Sequence, residues 1–313
     1  MIHFAKDMPN YFYQIYQFTL KSDFPIPELI EIEPKMTDLF VKQGKVPDRL
    51  GNVLKEGDDS DGFIHCQLND DEILLTIRGV GKFYIAGQKN IVVEGYSETP
   101  REEVRHYFLG CCLGALNVKN GFFALHGSAV QIGNSCIIFT GPSGVGKSTL
   151  AATFLAEGYD LLADDMCVIR LDDSGTPWVY PAEPRIRIWE DSSLVLGYEP
   201  GELEKLSPRW EKFVMTPKIQ FARDPMPLKA IYALHPIDSG ELEIIDLKGF
   251  EKIRVLLVNT LVMPVMVMLN LESQHLFFCS KLLESVELKK INRPKSRFEL
   301  KELLSLIESD YGH

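Results

Sequence analysis

The chain has 313 residues, of which 45% are hydrophobic and 25% are charged, and its formal net charge is −11 at pH 7. This length fits one large and one smaller domain, and the composition is that of a globular protein with a sizeable core. The negative charge argues against nonspecific binding to nucleic acid or to anionic lipid, because both need a basic surface. We therefore expect neither a nucleic-acid polymer nor a membrane among the partners.

The six cysteines show no C-x-x-C spacing, so neither a zinc site nor a disulfide framework is indicated. The first residues, MIHFAKDMPNYFYQIYQF, lack the basic and apolar segments of a signal peptide. The most apolar run, residues 255–271, contains polar residues and a proline and is shorter than a membrane-spanning helix, so we expect buried core. These features predict a cytoplasmic protein with reduced thiols.

Residues 1–98 contain short apolar runs separated by Gly, Asp and Pro, a pattern typical of strands joined by turns. The predicted strands are YQFTL, GFIHCQL, EILLTI, KFYIAG and NIVVEGY. We expect this region to form a smaller, β-rich N-terminal domain.

The second predicted domain, residues 99–313, begins where the pattern changes to a helical period. A capping box at Thr99 starts a predicted bridging helix that ends at Gly121. Two strands follow, FALHGSAVQI and SCIIFT, which a Gly-Asn hairpin signal joins. A helix, KSTLAATFLAEG, and a strand, YDLLADDMCVIRL, with two acids in its middle come next. This alternation predicts an α/β core domain.

Residues 141–148, GPSGVGKS, fit the phosphate-binding pattern G-x-x-x-x-G-K-[ST] between a predicted strand and a predicted helix. Glycines allow backbone N–H groups to crowd around phosphates, and the start of a helix adds partial positive charge. We expect Lys147 to bridge β- and γ-phosphate oxygens of ATP and Ser148 to hold Mg²⁺. The predicted nucleotide-binding residues are Gly141, Ser143, Gly144, Val145, Gly146, Lys147, Ser148 and Thr149.

Two acids and one histidine accompany this loop in the sequence. Asp164 and Asp165 follow an apolar run, and beside a phosphate loop one carboxylate can bind Mg²⁺ while the other accepts a proton from an attacking hydroxyl. His126 lies in the strand beside the one that enters the loop, where it can hydrogen-bond an aspartate or a phosphate oxygen. A solvated turn and a core histidine are the alternatives. The combination favours a kinase.

His126-Gly127, residues 141–148 and residues 163–165 together resemble the catalytic core of HPr kinase/phosphorylase, which shares its P-loop architecture with ATP-dependent phosphoenolpyruvate carboxykinase. The resemblance implies an α/β protein with an HPr-kinase/PEP-carboxykinase-like P-loop core domain and a smaller β-rich N-terminal domain. It also implies that Asp164 is the general base, that Asp165 is a metal-side acid and that His126 supports the base.

A wider likeness covers the segments FLGCCLGALNVKNGFFALHGSAV, YPAEPRIRIW and NRPKSRFELKELLSLI. They are similar to HPr-kinase-like serine kinases encoded beside ribosomal-peptide genes, including the kinases of lasso-peptide precursors. This likeness implies ATP- and Mg²⁺-dependent phosphorylation of a serine on a peptide or protein acceptor. The RGxG signature of bifunctional HPr kinases is not found after the aspartates, and residues 78–81, which have its letters, are interpreted as a strand turn.

Four further charged residues are candidates for contacts with the phosphoryl group or the acceptor: Glu183, Arg185, Arg187 and Lys212. Arginine grips phosphate through two donors, although such residues are also common as surface charges. The N-terminal domain is a candidate for acceptor recognition by strand pairing. Two other functions stay open, a nucleotide-binding regulator that hydrolyses slowly or not at all and a kinase for free serine. A homo-oligomer is also compatible with the sequence.

Overall fold

The computed structural model describes residues 10–59, 61–199, 202–207, 210–216, 220–295 and 300–312. The protein is a mixed α/β chain with two large sheets, and it divides into two compact units. The first unit comprises the described residues up to Asn120 together with Val262–Asn270. The second unit comprises Gly121–Leu261 and the described residues from Leu271 onward.

A nine-stranded sheet forms most of the first unit. Its strands are β1 (Tyr11–Ile15), β2 (Phe18–Ser22), β3 (Ile30–Glu31), β4 (Leu39–Gln43), β5 (Lys55–Asp58), β6 (Ile64–Leu68), β7 (Glu72–Ile77), β8 (Gly81–Ala86) and β9 (Asn90–Gly95). Their order is β3-β1-β2-β4-β9-β8-β7-β6-β5. Four of the predicted strands are confirmed as β6 to β9, and residues 78–81 form the turn from β7 into β8.

The predicted strand YQFTL is wrong at its start, because Tyr16 and Gln17 form the turn between β1 and β2. Tyr16 has a left-handed φ of 50°, which few residues other than glycine adopt. Nothing in the local sequence signals this turn. The pairing of β1 with β2 along their full length holds the turn in place.

The segment after this sheet is helical, but it is not one regular α-helix. A π-helical turn at Phe108–Cys112 separates α1 (Arg101–Tyr107) from α2 (Leu113–Lys119). The predicted capping box is wrong, because Pro100 occupies the cap position and the Thr99 hydroxyl donates to the carbonyl of Gly79. Our predicted domain boundary falls before this helical segment, whereas the compact units divide after it.

The second unit contains an eight-stranded sheet and a three-stranded sheet. Its strands are β10 (Phe123–Ile132), β11 (Ser135–Thr140), β12 (Asp160–Ala163), β13 (Met166–Leu171), β14 (Pro177–Tyr180), β15 (Ile186–Trp189), β16 (Glu204–Ser207), β17 (Trp210–Met215), β18 (Met226–Ile237), β19 (Glu243–Asp246) and β20 (Glu287–Pro294). The larger sheet has the order β11-β10-β13-β14-β18-β20-β19, and β12 pairs with β10. The smaller sheet has the order β15-β17-β16.

Strand β10 changes partners midway along its length. Residues 123–126 pair with β13, whereas residues 127–132 pair with β11, and β12 also pairs with this second half. The predicted hairpin of β10 and β11 is confirmed. The predicted single strand YDLLADDMCVIRL is wrong, because β12 and β13 pair with different halves of β10 and the chain must bend between them. Asp164 and Asp165 occupy that bend.

The remaining helices are α3 (Lys147–Ala156), α4 (Glu190–Val195), α5 (Phe250–Val258), α6 (Met263–Met268), α7 (Glu272–Ser285) and α8 (Leu300–Tyr311). The core of the second unit joins β11, α3 and β18 through the fully buried aromatic side chains of Phe139, Phe154 and Tyr232. The ring of Phe139 lies 5.3 Å from that of Phe154 and 6.5 Å from that of Tyr232. This packing fixes β11 and α3, the two elements that flank residues 141–148.

The apolar run at residues 255–271 is less buried than we predicted. It contributes to α5 and α6, and Val258 and Val267 are 72% and 46% exposed. No helix in the described part of the chain is long and apolar enough to cross a membrane. The six cysteines all lie in the described part of the chain and form no disulfide there.

Candidate functional site

The glycine-rich loop, residues 141–148, connects the end of β11 to the start of α3. Its backbone requires glycine, since φ is 136° at Gly141, 78° at Gly144 and 103° at Gly146. A Cβ at Gly141 would also lie 2.8 Å from the carbonyl oxygen of Leu234. A larger residue at Gly141 would therefore force the loop away from its present path.

A pocket opens over this loop. Ten of the predicted site residues line it: His126, Ser143, Gly144, Gly146, Lys147, Ser148, Thr149, Asp165, Arg187 and Lys212. The lining is completed by Ile188, Trp189 and Ser192, which sequence reasoning did not select. The structure thus brings together the loop, the histidine and the second aspartate. The predicted residues outside the lining are Gly141, Val145, Asp164, Glu183 and Arg185.

Lys147 is buried against its own loop. Its side-chain Nζ donates to the carbonyl oxygens of Gly141 and Pro142, at 2.9 Å each. Burial lowers the pKa of Lys147 to about 8, although the charges of Asp164 and Asp165 act in the opposite direction. Phosphate oxygens would be stronger partners for this ammonium than neutral carbonyls, because both groups would then be charged.

The two adjacent aspartates have different environments. The carboxylate of Asp164 is buried, and it accepts hydrogen bonds from the Ser128 hydroxyl at 2.6 Å and from the backbone N–H of Arg187 at 2.8 Å. Burial, together with the charge of Asp165, raises the pKa of Asp164. The side chain of Asp165 is 38% exposed and lines the pocket. A ligand in the pocket would therefore meet Asp165 before Asp164.

Asp165 owes its position to the bend between β12 and β13. Its φ is 72°, in the left-handed region, where a non-glycine residue is strained. The backbone N–H of Gly127 and the ring of His126 both approach its carbonyl oxygen. These contacts tie the bend to the point at which β10 changes partners. The strain is located at the candidate site, as is common for functional residues.

His126 lies at this change of partners and faces the bend. Its Nδ1 is 3.1 Å from the carbonyl oxygen of Asp165 and 3.6 Å from the carboxylate Oδ1 of the same residue. Burial and the charge of Lys147 lower the pKa of His126, so the neutral imidazole is favoured at pH 7. If Nδ1 donates to the carbonyl, Nε2 becomes an acceptor.

Arg187 lies close to both aspartates, since its backbone N–H donates to Asp164 and its side chain approaches Asp165. Its guanidinium pairs with Glu183 through Nη2 and lies 3.7 Å from Oδ2 of Asp165 through Nη1. Glu183 is also 3.8 Å from Nη1 of Arg185. Glu183 therefore lies between the two arginines, and neither Glu183 nor Arg185 lines the pocket. Of the four predicted substrate-contacting residues, Arg187 and Lys212 line the pocket.

The predicted Mg²⁺ ligands Ser148 and Asp165 both line the pocket. Among the described residues, no group of three or more His, Cys, Asp or Glu side chains could hold a metal ion. Mg²⁺ beside a nucleotide is usually held by one or two protein side chains, with phosphate and water oxygens in the other positions. A hydroxyl and a carboxylate that line the same pocket fit that chemistry.

Sequence reasoning missed Ser128, Trp189 and Ser192. Ser128 follows His126 by two residues on β10, a spacing that places both side chains on one face of the strand. Trp189 ends the segment RIRIW, in which Ile186 and Ile188 are buried in the core. This alternation was a usable signal, because it places Trp189 on the same face of β15 as a predicted arginine.

Comparison with known proteins relates part of the chain to a kinase family. No family model matches the chain. A segment of 67 residues is 36% identical to HPr kinase/phosphorylase from three strains of Streptococcus thermophilus, and it spans 21% of this chain and 22% of those relatives. The chain thus matches about a fifth of the length of these relatives.

One solved structure similar to this chain is the Hpr(Ser) kinase/phosphatase from Coxiella burnetii. The likeness covers 60% of this chain and 90% of that chain, with a TM-score of 0.34 and 12% sequence identity. A likeness of this size is too low to support an argument about the activity of this protein.

Proposed function

We propose that this protein is an ATP- and Mg²⁺-dependent kinase that transfers the γ-phosphoryl group to a serine hydroxyl of a peptide or protein. The observation that carries the proposal is one pocket in which the glycine-rich loop meets the imidazole of His126, the carboxylate of Asp165 and the guanidinium of Arg187. A phosphate-binding loop alone serves many functions. A carboxylate and an imidazole beside it supply the acid–base groups that transfer to an alcohol requires.

In this proposal the loop holds the triphosphate, and Lys147 moves from the carbonyls of Gly141 and Pro142 to the phosphate oxygens. Ser148 would hold Mg²⁺ through its hydroxyl, and the bound ion would neutralise charge on the β- and γ-phosphate oxygens. Arg187, which lies close to Asp165, adds positive charge at the same end of the pocket. Positioning and electrostatics would supply most of the rate.

Either of the two adjacent aspartates could serve as the general base. The family resemblance implies Asp164, whose two carboxylate oxygens already accept hydrogen bonds from Ser128 and Arg187. The exposure of Asp165 favours that residue as the group that first meets an acceptor hydroxyl. We propose that Asp165 is the general base that contacts the acceptor hydroxyl. Asp164, which Ser128 holds by a hydrogen bond, would position the bend and add negative charge beside Asp165.

Single-turnover measurements on Asp164→Asn and Asp165→Asn test this division. We expect Asp165→Asn to slow transfer by roughly 10²–10⁴-fold, the range for loss of a general acid–base group. Asp164→Asn should leave ATP binding nearly intact and slow transfer less than Asp165→Asn does. If Asp165→Asn transfers phosphate at the normal rate and Asp164→Asn does not, Asp164 is the base.

We propose a precursor peptide of a ribosomal, lasso-type product as the acceptor. The support for this choice is the similarity of three sequence segments to kinases of such clusters. In the first unit the nine-stranded sheet ends in β3 and β5, and an extended peptide can add to such an edge by backbone hydrogen bonds. We therefore propose that the first unit recognises the acceptor.

The proposal is tested by incubating the full chain with Mg²⁺ and γ-³²P-ATP. Four acceptors are compared: a peptide ending in serine, the same peptide ending in alanine, HPr and free serine. We expect label on the serine peptide alone, and no label with Lys147→Ala. Label on free serine alone would instead establish a small-molecule kinase. If ATP binds and none of the acceptors is labelled, the protein is a nucleotide-binding regulator.

A further inference from the structure

Trp189 is a large aromatic side chain in the wall of the pocket, and it is 41% exposed. It lies on β15, where Ile186 and Ile188 are buried in the core and Arg187 and Trp189 face the other way. Arg187 contacts Asp165, and Trp189 follows two residues further along the same face. The strand face therefore leads from the acidic end of the pocket to an exposed indole.

Trp189 lies beside the first turn of the helix that follows the glycine-rich loop. It caps α4, and Ser192 in the first turn of α4 accepts a hydrogen bond from the Thr149 hydroxyl at 2.8 Å. Thr149 directly follows Ser148 in α3. Thr149, Ser192 and Trp189 thus line the pocket from the starts of α3 and α4, whereas His126 and Asp165 line it from β10 and the bend after β12.

The proposed function gives the nucleotide a direction in this pocket. Transfer requires the γ-phosphate to face His126 and Asp165, and Lys147 would bridge the β- and γ-phosphates. The nucleoside must then leave the loop at the other end of the phosphate chain. Among the other pocket residues, Trp189 offers a flat aromatic surface.

We propose that Trp189 is the stacking platform for the nucleobase of ATP, an inference that rests on the proposed function. Lys212, the partner of Trp189 across β15 and β17, places its ammonium 5.0 Å from the centre of the indole ring. This cation–π contact fixes the ring from one face, and the base would stack on the other face. Indole and a planar base both offer π-faces, so the stack would strengthen binding of ATP without contacting the phosphates.

The test compares two ligands that share a triphosphate. The dissociation constants of Mg·ATP and of Mg·tripolyphosphate are measured by calorimetry for the unaltered protein and for Trp189→Ala, Trp189→Phe and the control Trp178→Phe. Trp189→Ala should weaken ATP binding by about 5- to 150-fold, the equivalent of ~1–3 kcal/mol for one stacked base. Its affinity for tripolyphosphate should not change. Trp189→Phe should recover most of the ATP affinity, and Trp178→Phe should bind both ligands normally.

If Trp189→Ala weakens the binding of ATP and of tripolyphosphate equally, the stacking proposal is wrong. Such a result would show that Trp189 acts on the phosphates or on the structure of the pocket. Unchanged ATP binding with reduced peptide phosphorylation would also overturn it, in favour of an acceptor contact. Tryptophan fluorescence gives a second reading: ATP should quench it in the unaltered protein and in Trp178→Phe, but not in Trp189→Phe. If the unaltered protein binds neither ligand, the proposed function itself fails.

Discussion

The two compact units place their charged side chains differently. In the first unit Lys45 pairs with Glu94 at 2.6 Å, and the Lys45 side chain is 95% exposed. In the second unit a lysine, two acids and an arginine with no more than 6% exposure lie around the candidate site: Lys147, Asp164, Glu183 and Arg187. Burial of charge costs free energy even when the charges are paired. The second cluster is therefore better explained by a chemical task than by the needs of folding.

The first unit also contains two buried acids, Glu28 and Glu103, and the contrast can be followed at Glu28. Arg105 Nε pairs with both carboxylate oxygens of Glu28, at 2.8 and 2.9 Å. In the second unit Asp164 instead accepts from a hydroxyl and a backbone N–H, and its pKa is raised. The ion pair of Glu28 with one arginine is explained by structural stabilisation alone. A buried acid with a raised pKa beside Lys147 instead indicates a functional site.

Removal of the Lys147 ammonium should have the largest effect. Lys147→Ala should weaken Mg·ATP binding by about 10- to 150-fold, from the ~1.5–3 kcal/mol of a charged hydrogen bond, and slow transfer by roughly 10²–10³-fold as well. Calorimetry and single-turnover transfer measure the two effects. Lys45→Ala in the first unit is the matched control and should bind ATP normally. Normal ATP binding by Lys147→Ala would show that the glycine-rich loop is not the nucleotide-binding site.

Replacement of Arg187 by an apolar residue should come next. Arg187→Met leaves Glu183 buried without its nearest cation, and loss of one partner of a buried pair costs about 3–5 kcal/mol in the free energy of unfolding. Urea unfolding measures this cost. The double variant Glu183→Gln/Arg187→Met should recover part of the stability, because the uncompensated charge is gone. If Arg187→Met lowers the free energy of unfolding by less than ~1 kcal/mol, the buried pair of Glu183 and Arg187 contributes no more than an exposed ion pair of the first unit.

The affinity for ATP should depend on pH through Lys147. Its pKa is about 8 in the free protein, so the ammonium is charged below that pH and binding needs no proton. Above pH 8 the amine must regain a proton when phosphate binds, so affinity should fall by up to about tenfold per pH unit. Calorimetry in buffers of different ionisation enthalpy should detect uptake of almost one proton at pH 9 and of only about a tenth of a proton at pH 7. Lys147→Arg should abolish this uptake; uptake that persists would come from another group.

Removal of the exposed ion pair in the first unit should have the smallest effect. Lys45→Ala should lower the free energy of unfolding by roughly 0.2–1 kcal/mol, the range for exposed pairs, and added salt should shrink the difference further. Urea unfolding at two salt concentrations measures it. A loss comparable to that of Arg187→Met would erase the contrast between the two units.

Local patterns predicted the parts of the site that neighbours in sequence determine. The hairpin of β10 and β11, the glycine-rich loop and α3 all follow from turn residues, glycines and helical periodicity within a short stretch. The approach of His126 to Asp165 could be expected only in outline, because β12 and β13 join β10 from a distance in sequence. The alternation of apolar and other residues in RIRIW places Trp189 on the same strand face as Arg187, so its position could have been predicted from the sequence.

The bend at Asp164 and Asp165 could not be predicted from the sequence. The apolar residues on both sides read as one strand, and only the change of partners along β10 forces a break. The break also decides which aspartate is buried and which lines the pocket. Tyr16 is a similar case in the first unit, since pairing of β1 and β2 produces a left-handed turn without a glycine.

The most direct test is a crystal structure of the full chain with Mg²⁺ and a non-hydrolysable ATP analogue. We predict that Lys147 leaves the carbonyls of Gly141 and Pro142 and that its ammonium binds the terminal phosphate. We also predict that His126 and the carboxylate of Asp165 face the same phosphate. An analogue bound away from residues 141–148, or with its terminal phosphate turned away from His126 and Asp165, would contradict the proposed kinase site.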